Sequence, residues 1–304
     1  MDRFDAMKVF VAVAEEKGFA SAARRLRMSP PAVTRAVSAL EERIGSRLLE
    51  RTTRLVRLTE AGARYLDDCR RILSEIDEAE ASAAGSHAEP RGQIAVTAPV
   101  MFGRMHVAPV LLDFLDRHPQ VRVRALFVDR VVDLMEEGLD VAVRIAHLPD
   151  SSLTAVRVGA VRHVICASPR YLRSRGTPRT PEDLARHDAI LFSQSAAPQD
   201  WIFASATGTV PARPRAQLAV NTADVAIAAA VAGHGLTGVL SYQIASELKA
   251  GRLKIVLADF EPAPLPIHVV HVAGRRASAR VRALVDFMVE RLRGDESLNA
   301  PQIG

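Results

Sequence analysis

Residues 27–45 read RMSPPAVTRAVSALEERIG, and this stretch predicts the architecture of the amino-terminal part of the chain. Ser29 is a favourable N-cap, and prolines at the first two helical positions remove only amides that would have no intrahelical partner. One face of the helix, which Gly45 ends, carries the apolar residues Val33, Ala36, Val37, Leu40 and Ile44. The opposite face carries a short polar row of Pro31, Thr34, Arg35 and Ser38.

The residues on either side of this helix predict a helix-turn-helix followed by a wing. Upstream, a helix covers residues 4–16, Gly18 ends it, and a short helix capped by Ser21 leads to a turn at residues 27–28. Downstream, residues 48–58 predict two strands joined by a turn at residues 51–54. A second helix that exposes threonine and arginine near its start is the kind that enters the major groove of DNA. The candidate DNA-binding residues are therefore Ser29, Pro30, Pro31, Thr34, Arg35, Ser38, Arg51, Arg54 and Arg57.

Basic charge is concentrated in this region. The 304 residues hold 40 Lys and Arg against 35 Asp and Glu, a net charge of +5, with an isoelectric point near 9.7. Residues 21–57 hold nine arginines against three glutamates, so they account for the whole excess. Two alternatives remain, a merely solvated helix face and a scaffold for protein partners. A scaffold has no need of Arg24, Arg25, Arg27, Arg35, Arg51 and Arg54 around one helix pair.

A longer helix is predicted from about residue 59 to residue 84. Its positions Leu66, Cys69, Leu73, Ile76, Glu80 and Ala83 recur at spacings of three and four, as in a short heptad seam. The seam indicates a helix that pairs with a second copy of the chain, and the alternative is packing against the chain's own next domain. Residues 83–92, AAGSHAEPRG, predict a hinge because they are small, polar and interrupted by Gly and Pro.

The rest of the chain alternates apolar strand-like runs with helical patterns, which predicts parallel strands covered by helices. Strands are expected at residues 94–97, 121–128, 141–145, 161–167, 189–192, 217–221, 236–240 and 267–272. Helices are expected at residues 110–115, 131–137, 223–232 and 278–292. Residues 193–214 form the longest stretch without a pattern, and they include the only tryptophan, Trp201, which either lies buried or contacts a ligand.

Composition sets the broad class of the protein. At 304 residues, with 48% hydrophobic and 25% charged residues, more than one globular domain is expected. Neither a signal peptide nor an apolar run long enough to span a bilayer is evident, so we expect a cytoplasmic protein with no membrane partner. Cys69 and Cys166 fit no metal or redox spacing and are expected to be buried thiols.

The motifs within residues 10–62 resemble the DNA-binding part of LysR-type transcriptional regulators. They are Ala22-Ala23-x-x-Leu26, Leu40-Glu41, Gly45, Leu48 to Arg51, Arg54 and Leu58-Thr59-x-x-Gly62. The similarity continues through residues 118–153, 167–178 and 229–253, so it covers nearly the whole chain. Pro30 stands where this family commonly has Gln, and Leu49 stands where it usually has Phe.

The resemblance implies a mainly α winged helix-turn-helix domain over residues 1–60 and a dimerising linker helix with a hinge over residues 61–90. Residues 91–300 would form an α/β effector domain of two Rossmann-like subdomains, similar to type 2 periplasmic binding proteins. One subdomain would comprise residues 91–162 and 268–300, and the other residues 163–267. A small-molecule inducer would bind between them, in a homodimer or homotetramer, and RNA polymerase is a further candidate partner.

The same resemblance places the effector-binding residues at the ends of strands, where open α/β sheets bind ligands. They are Thr97, Pro99, Val100, Met101, Arg144, Ile145, Phe192, Ser193, Asn221, Thr222 and His234. Arg144 and the hydroxyl groups at the strand ends favour a small anion. With this function, the double-stranded DNA partner should carry an imperfect inverted repeat in a promoter.

The rival class is an enzyme, but each candidate motif has an ordinary explanation. Residues 233–238 match G-x-G-x-x-G, yet they follow a helix and precede a strand, the reverse of a dinucleotide-binding site. Residues 246–249 match S-x-x-K without the companion motifs of that acyl-enzyme class. His268 and His271 lie three apart in a predicted strand and so face opposite sides. The sequence therefore predicts no enzyme, metal or cofactor.

Overall fold

The computed structural model describes residues 1–51, 56–83, 89–193, 200–205, 208–272 and 278–298. The chain forms two compact units, of which the first comprises residues 1–93 with the short segments 120–122 and 278–280. The second unit comprises the remaining residues from position 94 onward. In the described part of the chain, no helix is both long enough and apolar enough to cross a membrane.

The first unit is a helix-turn-helix with a two-stranded wing and a long final helix. Its elements are α1 (Arg3–Glu16), α2 (Phe19–Leu26), α3 (Pro30–Ile44), β1 (Leu49–Arg51), β2 (Val56–Leu58) and α4 (Glu60–Ala83). The strands β1 and β2 pair antiparallel. The predicted wing strands are therefore confirmed, while the turn residues 52–55 lie outside the described residues.

Local signals set most helix ends in this unit. Arg27 ends α2 in the left-handed conformation, and Gly45 ends α3 with φ +73°, where glycine has no steric cost. The predicted cap at Ser21 is wrong, because α2 begins after Gly18 and Ser21 lies inside it. The predicted buried stripe of α3 is confirmed except at Ile44, which is 39% exposed at the helix end.

The first half of the predicted heptad seam packs inside the unit itself. Leu66 and Cys69 on α4 are buried in the same core as Phe10 on α1, and Leu73 packs against that core. Burial raises the pKa of the Cys69 thiol to about 11, as expected for an unreactive cysteine. The first half of the seam therefore packs against α1, whereas the sequence had suggested either a second copy of the chain or the chain's own next domain. Pairing with a second copy stays a prediction for the rest of α4.

The second unit is α/β. It begins with β3 (Gly92–Ala98), α5 (Val100–Phe102), a π-helical turn (Gly103–Val107), α6 (Ala108–Arg117), β4 (Val121–Phe127), β5 (Val141–Ile145), β6 (Leu153–Val161) and β7 (His163–Ala167). It continues with α7 (Pro169–Arg175), β8 (Asp188–Phe192), β9 (Trp201–Ser205), β10 (Gly208–Ala212), β11 (Arg215–Val220) and α8 (Ala223–Val231). It ends with β12 (Leu236–Leu240), α9 (Ala245–Lys249), β13 (Lys254–Val256), β14 (Leu265–Val272) and α10 (Ala279–Arg293).

Two mixed sheets organise this unit. The first has the strand order β4-β3-β5-β14-β6 and the second the order β11-β8-β12-β7-β13. The pairs β3–β5 and β8–β11 are parallel, as predicted, but β14 runs antiparallel to both of its neighbours, and β7 pairs antiparallel with β12. The prediction of parallel strands is therefore only partly right, because long-range pairing decides strand direction.

Other sequence predictions fail in the second unit. No helix forms at residues 131–137, because the Asp133 carboxylate accepts the amides of Met135 and Glu136 at 2.7 and 3.0 Å and stabilises a turn instead. The stretch 193–214 was expected to be irregular, but it contains the hairpin β9–β10. Alternate residues of β9 are buried, among them Trp201 at 7% exposure, so the burial alternative for the tryptophan is confirmed.

Candidate functional sites

The helix α3 begins without free main-chain donors. Ser29 is the N-cap, but its side chain makes no capping hydrogen bond. Pro30 and Pro31 have no N–H, and the next two amides donate to the Ser29 carbonyl at 2.9 and 3.1 Å. Free amides at helix starts commonly bind phosphate, but the first helical residues of α3, which begin at Pro30, offer no main-chain N–H to DNA.

Polar side chains of α3 form an open row opposite the buried stripe. Pro31, Arg35 and Ser38 are exposed, and Thr34 is half-buried. The Thr34 hydroxyl donates to the Pro30 carbonyl at 3.0 Å, so its oxygen remains able to accept a bond. Among the described residues, Arg35 has no hydrogen bond or ion pair, so its guanidinium is available to a ligand.

One of the six arginines that weighed against a protein scaffold serves the fold instead. Arg25 pairs with Glu15 at 2.9 Å and with Glu16 at 3.3 Å, and Arg70 on α4 pairs with Glu15 at 2.9 Å. Partial burial opposes the ionisation of Glu15, but the hydrogen bonds from the two arginines outweigh it and hold its pKa below the usual value. This network joins α1, α2 and α4, so Arg25 is not one of the free cations around the helix pair.

Three arginines were predicted to contact DNA from the wing. Arg57 on β2 is exposed and lies opposite Glu50 on β1. Arg51 ends β1, and Arg54 lies outside the described residues. Among the three predicted wing arginines, Arg57 is the one whose side chain lies in the described part of the structure, and it is exposed.

Hydrogen bonds hold the base of the wing between α3 and α4. The Glu41 carboxylate on α3 accepts the main-chain amides of Leu48 and Leu49 at 2.9 and 3.0 Å. The Thr59 hydroxyl donates to the Arg47 carbonyl at 2.8 Å and accepts from the Gly62 amide at 2.9 Å. Glu41, Thr59 and Gly62 belong to the Leu40-Glu41 and Leu58-Thr59-x-x-Gly62 motifs. In the structure these motifs therefore hold the base of the wing in place.

The first predicted effector segment runs from the end of β3 into α5, and its residues differ in burial. Thr97 is only 3% exposed, whereas Val100 is 43% exposed. Pro99 is half-buried and serves as the N-cap of α5. Met101 packs against the core cluster of the second sheet, together with Phe192. Met101 and Phe192 are thus predicted positions from different sheets that the structure brings together.

Arg144 and Ile145 end β5 in the first sheet. Both are half-buried. The Arg144 guanidinium donates to the Val132 carbonyl at 2.5 Å. Fewer of its N–H groups are therefore left to bind the anionic ligand that the sequence predicts. Ile145 lies opposite Ile267 on β14.

The second sheet brings three further predicted positions to one edge. The Ser193 amide donates to the Val220 carbonyl at 3.0 Å, so the ends of β8 and β11 are adjacent. Asn221 and Thr222 follow directly and are exposed, with Thr222 as the N-cap of α8. His234 lies beyond the other end of α8, whose nine residues span about 13 Å. His234 and these residues therefore lie at opposite ends of α8, and the assignment of His234 to the effector site stays a prediction.

Sequence reasoning missed two residues next to the predicted effector segment. The Asp129 carboxylate accepts the Val100 amide at 2.9 Å, at the start of α5. The ring of Tyr242 lies edge-on to Phe102, with centroids 5.3 Å apart. Burial raises the pKa of the Tyr242 phenol, and the negative charge of Asp129 adds to the shift. Asp129 could have been predicted from the sequence, because it lies just beyond β4 and the other effector-binding residues were chosen at strand ends.

An ion pair joins the two chain segments that connect the sheets. Arg162 lies between β6 and β7, and Glu261 lies between β13 and β14. Their side chains meet at 3.0 and 3.2 Å and are 17% and 7% exposed. Burial raises the pKa of Glu261, and the charge of Arg162 partly offsets this shift.

The G-x-G-x-x-G sequence lies in the turn from α8 to β12. This helix-then-strand order confirms the prediction and is opposite to that of a dinucleotide site. Gly233 has φ +88°, and a Cβ atom on Gly235 would lie 2.4 Å from the Asp188 carbonyl oxygen. The first two glycines are therefore explained by backbone conformation and close packing.

Comparison with known protein families agrees with both units. Residues 4–63 match the family described as bacterial regulatory helix-turn-helix protein, lysR family, and residues 87–293 match the LysR substrate binding domain. The chain belongs to the LysR family of transcriptional regulators. As a LysR-type regulator it combines a DNA-binding helix-turn-helix with a substrate-binding domain, and the enzyme alternative is excluded, since its relatives are named as regulators.

Curated relatives of this LysR-type regulator match over almost their full length. An HTH-type transcriptional repressor of Pseudomonas aeruginosa is 34% identical, over 95% of this chain and 92% of its own. The regulator CrgA of Neisseria meningitidis is 31% identical, and its solved structure aligns over 95% of this chain and 98% of that chain with a TM-score of 0.61. The full-length structure of AphB, a virulence activator of Vibrio cholerae, is 26% identical over 95% of this chain and 99% of that chain, with a TM-score of 0.60.

Proposed function

We propose that this protein regulates transcription in the cytoplasm by binding an imperfect inverted repeat in promoter DNA as a homodimer or homotetramer. The observation that carries the proposal is the exposed row on α3, in which Arg35 has no partner among the described residues. In a dimer, two such helices would lie about one duplex turn apart, roughly 34 Å. Arg35, Thr34 and Ser38 would read base edges, while Arg51, Arg54 and Arg57 would contact phosphates.

A genome-wide map of the DNA fragments bound by the full-length protein tests this proposal. We expect recovered fragments to share an inverted repeat, and neighbouring genes to indicate the chemistry of the inducer. Light scattering on the purified protein distinguishes the dimer from the tetramer, and pull-down with purified RNA polymerase tests that candidate partner. Fragments without a shared motif would contradict sequence-specific binding.

We further propose that a small-molecule inducer binds between the two sheets of the second unit. The site would use Thr97, Pro99, Val100, Met101, Arg144, Ile145, Phe192, Ser193, Asn221 and Thr222. The packing of Met101 and Phe192 against the same core cluster supports this, because these two predicted residues follow strands of different sheets. The domain division at residues 60 and 90 and the anionic character of the inducer stay predictions.

Small-angle scattering with and without the inducer indicated by the gene map tests this second proposal. Inducer binding should shift the population of subdomain angles and thereby change the scattering profile of the full-length protein. A saturating inducer that leaves the profile unchanged would contradict the coupling between the inducer site and the arrangement of the DNA-binding units.

A further inference from the structure

A single carboxylate oxygen on the recognition helix accepts two main-chain amides at the start of the wing. Oε1 of Glu41, in the last third of α3, accepts the amide of Leu48 at 2.9 Å and that of Leu49 at 3.0 Å. Leu49 is the first residue of β1. The direction in which the wing leaves the recognition helix therefore depends on an acceptor that the helix itself supplies.

The other side of the same segment is bonded to the beginning of α4. The Leu48 carbonyl accepts the amide of Thr59 at 3.0 Å, and the Thr59 hydroxyl binds the Arg47 carbonyl at 2.8 Å. Leu48 is thus held through its amide by α3 and through its carbonyl by the residue that precedes α4. Without Glu41, the remaining constraints on the wing would be the bonds from the α4 side and the burial of Leu48 and Leu49 in the core of the unit.

The carboxylate of Glu41 is not itself placed to read DNA. Its residue is half-buried and both bonds are partly buried, whereas the reading face of α3 is exposed. Arg35 lies six positions earlier on α3. Loss of the Glu41 bonds should therefore disturb the wing and leave the reading face of α3 in place.

We propose that Glu41 is a positioning residue for DNA binding, which holds the wing at the angle where its arginines reach phosphates while α3 occupies the major groove. This inference rests on the proposed function. It separates two contributions to binding: phosphate binding by the wing depends on Glu41, and base discrimination by α3 does not. A residue that only stabilised the fold would not separate them.

The test compares full-length wild-type protein with four variants on a fragment recovered in the genome-wide map. Glu41→Ala removes the acceptor, and Glu41→Asp keeps the charge but shortens the side chain by one methylene. Glu41→Gln keeps an oxygen that can accept both amides and loses the charge. Glu42→Ala is the matched control, since it removes the exposed neighbouring carboxylate from the same helix.

Affinity is measured between 50 and 200 mM potassium chloride, on the fragment and on a copy with altered half-site bases. We expect Glu41→Ala and Glu41→Asp to show a shallower salt dependence, by about 0.9 in log–log slope for each phosphate that the wing no longer reaches, and about tenfold weaker binding. The affinity ratio between the two fragments should stay unchanged. Glu41→Gln and Glu42→Ala should stay within about twofold of wild type, since the wing still reaches its phosphates in both variants.

Three results would overturn the inference. One is a salt slope of Glu41→Ala and Glu41→Asp that equals that of Glu42→Ala. Another is a loss of base discrimination in parallel with affinity. The third is a failure of Glu41→Gln to restore the slope. If Glu41→Ala does not fold, as judged by circular dichroism, Glu41→Asp and Glu41→Gln decide the question. Absence of DNA binding by the wild-type protein would instead refute the proposed function.

Discussion

Single side chains in the first unit divide into those that hold the fold and those left open for a ligand. Arg25 and Arg35 carry the same charge within ten positions of each other. Arg25 forms ion pairs with Glu15 and Glu16, whereas Arg35 has no partner among the described residues. Residue type and local charge density therefore cannot separate a DNA ligand from a structural cation, because the partners of an arginine are set by helix packing.

Replacement of Arg35 by alanine should weaken binding to the preferred fragment by roughly 1 to 3 kcal/mol and relax selectivity at one base position. The reason is that a guanidinium can donate two bonds to one guanine in the major groove. Arg57→Ala is the matched comparison. Loss of this exposed wing arginine should weaken binding to all DNA sequences alike and reduce the slope of the salt dependence by about 1. Mobility-shift series on point-substituted fragments measure both effects. Unchanged affinity and selectivity in Arg35→Ala would remove Arg35 from the reading face.

Gly62 illustrates a residue whose missing side chain matters. A Cβ atom there would lie 1.9 Å from the Leu48 carbonyl oxygen, which is main chain and has little room to move. Gly62→Ala should therefore destabilise the first unit by about 1 to 3 kcal/mol, although alanine is the better helix former. Gly18→Ala is the control, because its Cβ would find the nearest atom at an ordinary 3.6 Å. Thermal unfolding followed by calorimetry compares the two, and equal melting temperatures would contradict the steric argument.

Elements of the first unit are joined by charge as well as by the apolar core. Glu15 on α1 accepts Arg25 from α2 and Arg70 from α4, so one carboxylate links three helices. Because the folded protein lowers the pKa of Glu15, this carboxylate stabilises the fold fully above its unfolded pKa of about 4.3. The stabilisation is lost as the pH falls through the lower, folded pKa.

Glu15→Gln should consequently lower the melting temperature of the first unit at pH 7 and have little effect near pH 3. Calorimetry of the full-length protein across this range provides the measurement. Glu42→Gln removes an exposed carboxylate from the same unit and should show no such pH-dependent difference. A gap between Glu15→Gln and wild type that is as large at pH 3 as at pH 7 would exclude the ionic contribution.

At the scale of the whole molecule, the connections between the sheets of the second unit carry a buried charge pair. Arg162 and Glu261 lie on the two segments between those sheets, and both are largely shielded from water. Removing one member of a buried pair leaves the other charge without compensation, while replacing both with apolar residues is often tolerated. The pair is therefore expected to behave as a unit.

Arg162→Met or Glu261→Leu alone should each cost roughly 3 to 5 kcal/mol, and the double variant should lose less than the sum. The Arg162 amide donates to the Ser241 hydroxyl, and the Arg162 carbonyl accepts the Ser241 amide. Neither bond involves a side chain of the pair, so both are expected to persist in all variants. Denaturant unfolding monitored by the fluorescence of Trp201, which lies in this unit, measures the cycle. Strict additivity of the two single losses would show that the pair is not coupled.

The sequence by itself determined the helix-turn-helix, the wing strands and the exposed row of α3, because helix period, proline and glycine positions act over a few residues. It also determined most strands of the second unit and its helices near residues 110–115, 223–232 and 278–292. Only the tertiary structure decided the direction of β14, the hairpin β9–β10, the pairing of Arg25 and the clamp at Glu41. It also separated His234 from Asn221 and placed Met101 and Phe192 against the same core cluster. Each of these depends on contacts between separate elements, which the pattern within a single element does not record.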